Sequence, residues 1–189
     1  TKTGVSRLER AHRLSDAGST VRYVIFMDDY PVQKLSNMWS DTTGELDKSY
    51  AVQTHTRPIE RCMLMCTDPG DLVLDPTCGS GTTAFVAEKW GRRWITCDTS
   101  RVAVTLAKQR LMTASYDYYE LKYPHEGLKA GFIYRTVPHV TLKSIANNPD
   151  IVEGMSRSEI DAAIKRNADF ELLYDKPYES NNKVRVTGP

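Results

Sequence analysis

Apolar positions along this chain change period several times, and each change predicts an element. Ile59, Cys62, Met63 and Cys66 recur at i, i+3, i+4 and i+7, the spacing of one buried helix face. That helix is expected from Pro58, because proline at a first helical position lacks only an N–H that would have no partner. The turn residues "TDPGD" (67–71) end it. Leu72, Val73 and Leu74 then form a short continuous apolar run between turn signals, which predicts a strand buried on both faces of a parallel sheet. "TTAFVAEKW" reads as a helix closed by Gly91, and "RRWITCD" as a second apolar strand ending at Asp98. "SRVAVTLAKQRLMTA" is a further helix with Ala103, Val104, Ala107 and Leu111 on one side. The order helix, strand, helix, strand, helix is a βα repeat and predicts a parallel sheet with right-handed crossovers.

The flanks carry weaker patterns. "TVRYVIFMDDYP" (20–31) predicts a strand followed by a turn, and "SNMWSDTTGELDKSY" (36–50) a loop. "YDYYELKYPHEGLKA" is rich in tyrosine and reads as irregular, its tyrosines packing a loop rather than stacking on bases. "GFIYRTVPHVTL" predicts one or two strands, with Pro138 confined to an edge or a bend. Ser156 and Glu159 form a capping box ahead of Ile160, Ala163 and Ile164, the apolar face of a last helix. The expected organisation is an N-terminal segment of a catalytic domain (1–50), a cofactor-binding βα core (51–115) and a C-terminal extension (116–189).

Composition narrows the function classes. The 189 residues carry 25 basic and 24 acidic side chains, a net charge of +1, which gives no overall signal for nucleic acid or membrane. No apolar run approaches the roughly 20 residues that span a bilayer. Cys62, Cys66, Cys78 and Cys97 form no C-x-x-C pair and read as buried, reduced thiols of a cytoplasmic, prokaryotic protein, with no metal site. The chain opens on "TKTGVSRLERAHRLS" and closes on "KVRVTGP", and both ends read as boundaries within something larger.

The chemistry concentrates in "DPTCGSGTT" (75–83). A strand that ends in a glycine-rich turn and opens a helix presents backbone N–H groups and the positive end of the helix dipole, a site for an anion. Gly79 and Gly81 admit a ligand without a Cβ in its way. Asp98 and Thr99 close the next strand roughly twenty residues on, where a carboxylate accepts both hydroxyls of a ribose. The turn lacks the third glycine of a dinucleotide site and the lysine of a P-loop. Asp75 at its head would repel a pyrophosphate but pair with an ammonium. S-adenosylmethionine offers an ammonium for Asp75, a carboxylate for the helix N-terminus and a ribose for Asp98, and is therefore the expected cofactor.

"GDLVLDPTCGSGTT" resembles motif I of the amino DNA methyltransferases, which modify adenine N6 or cytosine N4. Its spelling, after "THTRPIERC", is similar to the β group, including Type III and restriction-associated large methylases. The resemblance implies a partial Rossmann-like S-adenosylmethionine-dependent methyltransferase fold, an α/β parallel sheet with flanking helices, plus a C-terminal α+β extension. It assigns the cofactor to Asp75, Pro76, Thr77, Cys78, Gly79, Ser80, Gly81, Thr82 and Thr83, and to Asp98 and Thr99. "YAVQTHTRPIERCMLM" resembles the neighbouring Lys-Pro motif, with Arg57-Pro58 in place of Lys-Pro. It adds Thr54, Thr56 and Arg57, the last toward the methionine carboxylate. Many relatives carry phenylalanine where this chain has Thr77.

The family's catalytic tetrapeptide, Asp/Asn/Ser-Pro-Pro-Tyr/Phe, is absent, and no Pro-Pro pair occurs in the sequence. In the β group it precedes motif I, so it is expected upstream of Thr1. Asp175, Pro177 and Tyr178 in "ELLYDKPYES" come nearest to it, but Lys176 replaces the first proline and the motif order is wrong, so this stretch reads as a surface turn. The expected function is the C-terminal, cofactor-binding part of a DNA methyltransferase, with adenine the first expectation. Its expected partners are DNA through the full-length protein, the rest of the parent methylase, and a restriction subunit or second copy, but no membrane. A methyltransferase of RNA or small molecules and a non-enzymatic nucleotide-binding module are the competing classes. Incubated with labelled S-adenosylmethionine and mixed-sequence DNA, this chain alone is expected to transfer no label; clear incorporation contradicts the missing tetrapeptide.

Overall fold

The computed structural model describes residues 1–42 and 53–186, so the 43–50 part of the loop expected over 36–50 lies outside the described residues. In chain order the elements are α1 (Lys2–Arg10), β1 (Leu14–Asp16), β2 (Val21–Tyr23), a 3-10 turn (Met27–Asp29), α2 (Thr56–Cys66), β3 (Leu72–Asp75), α3 (Thr82–Lys89) and β4 (Arg93–Thr96). There follow α4 (Arg101–Thr113), β5 (Ser115–Tyr119), a 3-10 segment (Pro124–Ala130), β6 (Tyr134–His139), α5 (Leu142–Ala146), α6 (Arg157–Arg166), β7 (Asp169–Pro177) and β8 (Glu179–Val186). The chain divides into two compact units, residues 1–35 with 136–173, and residues 36–135 with 174–189.

The first unit is built on Leu8, Ala11, Ile145, Ile151, Ile160, Ala163 and Ile164. The last three are the predicted apolar face of α6. Its predicted capping box is present: Ser156 N–H donates to Glu159 Oε2 at 2.7 Å, and Glu159 N–H to Ser156 Oγ at 3.4 Å. A buried ion pair between Arg13 and Asp29, with Phe26 4.0 Å below the guanidinium, fixes the turn after β2. Pro138 lies in β6, which among the described residues pairs with β7 alone, so the proline meets an edge as expected.

The second unit holds the βα repeat. β3 and β4 run parallel, Leu72 opposite Arg93 and Asp75 opposite Thr96. Val73 and Trp94 turn toward α2 and α3 and pack on a core of Met63, Val86, Ala87, Trp90, Tyr119 and Phe132. The opposite face is bare. Leu72 is 52% exposed, Leu74 65% and Ile95 55%. This corrects the expectation of a strand buried on both faces: among the described residues the parallel sheet has two strands, and helices cover one side of it.

Other expectations change for similar reasons. α2 begins at Thr56, with His55 Nδ1 accepting the Arg57 N–H at 3.1 Å, and Pro58 falls later in the first turn. Met63 is the buried residue of this helix, whereas Cys62 and Cys66 are exposed, as is Cys97; of the four thiols only Cys78 is buried. On α4 the buried stripe is Ala103, Ala107 and Leu111, and Val104 is 43% exposed. The tyrosine-rich stretch is only partly irregular: its first residues belong to β5, which pairs antiparallel with β8, Ser115 opposite Val186, and a kinked 3-10 segment follows. Tyr119 packs between Trp90 and Phe132, at ring distances of 5.8 and 5.3 Å. Arg92 is buried and caps the end of α2, donating from Nε to Thr67 Oγ1 at 3.0 Å and from Nη1 to the Trp90 carbonyl at 2.7 Å.

Gly91, which follows the α3 C-cap Trp90, has φ +69°, and a Cβ there would lie 2.7 Å from Phe132 Cζ. Gly91→Ala is therefore expected to destabilise the second unit by about 1–3 kcal/mol, through strain and overpacking together. Urea unfolding checks this, and an unchanged midpoint contradicts it.

Candidate functional site

The turn between β3 and α3 is built by backbone bonds to the next β–α connection. Cys78 N–H donates to the Cys97 carbonyl at 2.9 Å, and Cys97 N–H to the Asp75 carbonyl at 3.1 Å. Gly81 N–H closes the turn on the Cys78 carbonyl at 2.8 Å. Asp75 Oδ1 accepts the Thr77 N–H at 3.1 Å, a local turn bond that leaves its other oxygen outside this contact. Gly79 sits at φ +51° and Gly81 at φ +75°, the left-handed region in which glycine is unstrained.

Asp98 is the hub. Its Oδ2 accepts the Gly79 N–H at 2.9 Å and its Oδ1 the Ser100 N–H at 2.8 Å. The Ser100 and then the Gly79 N–H bonds hold its carboxyl below the usual carboxylate range. A carboxylate has about four acceptor positions, so the group keeps capacity to receive a hydroxyl beyond these bonds. Thr77, Pro76 and Thr99 are exposed around it, Thr83 is partly exposed, and Cys78 faces inward.

Ser80 and Thr82 point elsewhere. Both are buried, their hydroxyls 3.4 Å apart, and Arg110 Nη1 donates to Thr82 Oγ1 at 3.0 Å. Gly81 approaches α4 so closely that a Cβ on it would lie 2.8 Å from the Ala107 Cβ. The glycine at 81 thus admits a helix.

A second cluster lies beside the other end of α3. Asp41 accepts from Arg61 Nη1 at 2.8 Å and Nη2 at 2.6 Å, and from Arg57 Nη1 at 3.1 Å. The Arg61 hydrogen bonds, with the charge of Arg57 behind them, pull the Asp41 carboxyl down to about 2. Trp39 lies 5.2 Å from the Arg61 guanidinium. Arg57 and Arg61 line a groove of about 520 Å³ with Lys89, Trp90, Asp175 and Pro177. None of residues 75–83 lines it. α3 is eight residues long, about 12 Å, and separates this groove at its Lys89 end from the glycine turn at its start. The structure therefore brings Asp75, Gly79 and Asp98 together and places Arg57 apart from them. Thr54 is exposed ahead of α2, and Thr56 is its first residue. Asp175 belongs to β7, which corrects the expected surface turn, and Tyr178 follows it with Arg135 5.6 Å over its ring.

Residues 17–109 match a family model described as DNA methylase. The chain is similar to the Type II methyltransferase M2.DpnII of Streptococcus pneumoniae, 34% identical over 83 residues, 42% of this chain and 31% of that protein. It is also similar to M1.MboII of Moraxella bovis, 48% identical over 59 residues, 29% of this chain and 23% of that protein. The chain thus spans less than a third of the length of these curated relatives. Among solved structures, the M1.HpyAVI–SAM complex aligns at 25% identity and a TM-score of 0.35, covering 42% of this chain and 41% of that one.

Several residues around the site escape motif reading. Ser100 caps α4 by accepting the Ala103 N–H at 3.3 Å while its own N–H holds Asp98. Asp41 and Arg61 meet only through the fold. Arg110 carries one legible signal, a charge beside the apolar stripe of α4. Because the native Asp98 value is depressed, its bonds to Gly79 and Ser100 are fully present above the unfolded value of about 3.9 and are lost as pH falls through the native value. An NMR acid titration is expected to show the Gly79 and Ser100 amides moving together below pH 4, and no such step in Asp98→Asn. Independent movement of the two contradicts the bridge.

Proposed function

We propose that this chain is the cofactor-binding part of an S-adenosylmethionine-dependent DNA methyltransferase acting on an exocyclic amino group of adenine or cytosine. The observation that carries the reading is Asp98, an ionised carboxylate fixed by the turn it faces. The match of residues 17–109 to the DNA methylase family model supports it from the sequence side. The turn fits the cofactor: Asp98 retains acceptor capacity for a ribose hydroxyl, and Asp75 offers a carboxylate oxygen to an ammonium. The start of α3 and the N–H groups around it suit a carboxylate. Arg57 lies in the other groove and has no part in this arrangement.

When bound, S-adenosylmethionine supplies an electrophilic methyl group on a sulfonium. This chain's contribution is to orient: Asp98 fixes the nucleoside end, Asp75 and the turn the amino-acid end. The target amino group must be held by residues this chain does not carry, because the Pro-Pro tetrapeptide is absent. In-line transfer then rests on positioning and on hydrogen bonds at the exocyclic nitrogen. A Rossmann-like sheet completed by the rest of a parent methylase accounts for the bare Leu72, Leu74 and Ile95 face.

Isothermal titration of this chain with S-adenosylmethionine is expected to show weak binding. Asp98→Asn and Asp75→Asn should each lower the affinity about tenfold, equivalent to about 1.4 kcal/mol. No heat with the unaltered chain, or equal affinity in both variants, overturns the reading.

A further inference from the structure

Arg110 is a charged side chain in the last turn of α4, adjoining the stripe of Ala103, Ala107 and Leu111 that faces inward. Its Nη1 donates to Thr82 Oγ1 at 3.0 Å, and lies 3.4 Å from Ser80 Oγ and 3.5 Å from the Ser80 carbonyl. Its guanidinium carbon lies 4.7 Å from the Phe85 ring centre. All four contacts are with the beginning of α3 or the residues that lead into it.

The placement is unusual on electrostatic grounds. A cation at a helix N-terminus sits at the positive end of the dipole, which disfavours it. Here the hydroxyl, carbonyl and ring faces that receive it supply the compensation. The turn is gripped from both sides, by the β4–α4 connection and by α4 itself: Asp98 takes the Gly79 N–H, and Arg110 donates to the oxygens of residues 80 and 82. Between them, Gly81 rests against Ala107. Residues 79 to 82 are thus set by α4 and the turn that precedes it.

We infer that Arg110 is a positioning residue for the cofactor turn: it fixes the α3 side of that turn and, through it, the direction of the N–H groups offered to the ligand. The inference rests on the proposal that the turn holds S-adenosylmethionine. Lysine does not replace Arg110, because an ammonium lacks the planar face that lies over Phe85 while its nitrogen contacts residues 80 and 82. Loss of the guanidinium leaves two buried hydroxyls without their charged donor.

The test uses the whole chain, first without ligand. Arg110→Gln and Arg110→Lys are expected to raise hydrogen exchange at the Gly79, Gly81 and Phe85 amides about tenfold, with the α6 amides unchanged. Titration with S-adenosylmethionine should then show about tenfold weaker binding in both variants. Thr82→Val, which removes the main acceptor at constant shape, should act in the same direction. The double variant should be little worse than the worse single, since both remove one interaction. Wild-type exchange rates in Arg110→Gln overturn the inference, and so do faster exchange with unaltered affinity and additive losses in the double variant. If the unaltered chain gives no binding heat, the proposed function itself fails and this inference falls with it.

Discussion

One carboxylate holds this site together. Asp98 ends the second βα connection, yet its oxygens are occupied by an N–H of the first connection and an N–H at the start of α4. Strand β4, the glycine turn and the α4 terminus therefore share one group. The parallel register of β3 and β4 brings it there, since pairing Asp75 with Thr96 leaves Asp98 level with the turn. The close approach of Gly81 to Ala107 depends on the same registration. A cofactor meeting this surface encounters a preorganised acceptor, whose orientation was settled when the sheet formed.

Much of this was legible because it is local. The apolar run at 72–74, the glycines at 79 and 81 and the acid at 98 lie within one short repeat, so period and turn chemistry place them with few alternatives. The capping box at Ser156 reads equally well, being a four-residue device. What escaped depends on distant chain. Whether Leu72 and Leu74 are covered depends on elements beyond the repeat, and the sequence of a strand does not report them. The exposure of Cys62 and Cys66 follows from where α3 meets α2, at Met63. The pairing of β5 with β8 joins residues about seventy positions apart, through a strand spelled with tyrosines and no alternating pattern.

The candidate residues also separate by location in a manner that motif order concealed. Asp75 and Asp98 lie at the start of α3, whereas Arg57 lines a groove beside its end and spends its charge on Asp41. Spacing along the chain says nothing about this, because an eight-residue helix sits between them. The groove is closely balanced in charge, with Lys89 bound to Glu60 at 2.6 Å and Arg61 to Asp41. Pairs of this kind at a surface fix side-chain geometry more than they add stability. The β3–α3 turn concentrates its polarity differently, through backbone groups whose direction no rotamer can alter.

The uncovered side of the parallel pair has a practical consequence. Leu72, Leu74 and Ile95 form a flat, greasy plane on a sheet that has two strands among the described residues. Such a surface adheres to its own kind at high concentration. Mild detergent or a fused solubilising domain should keep this polypeptide dispersed where plain buffer lets it clump, because each shields that plane from collision with another copy.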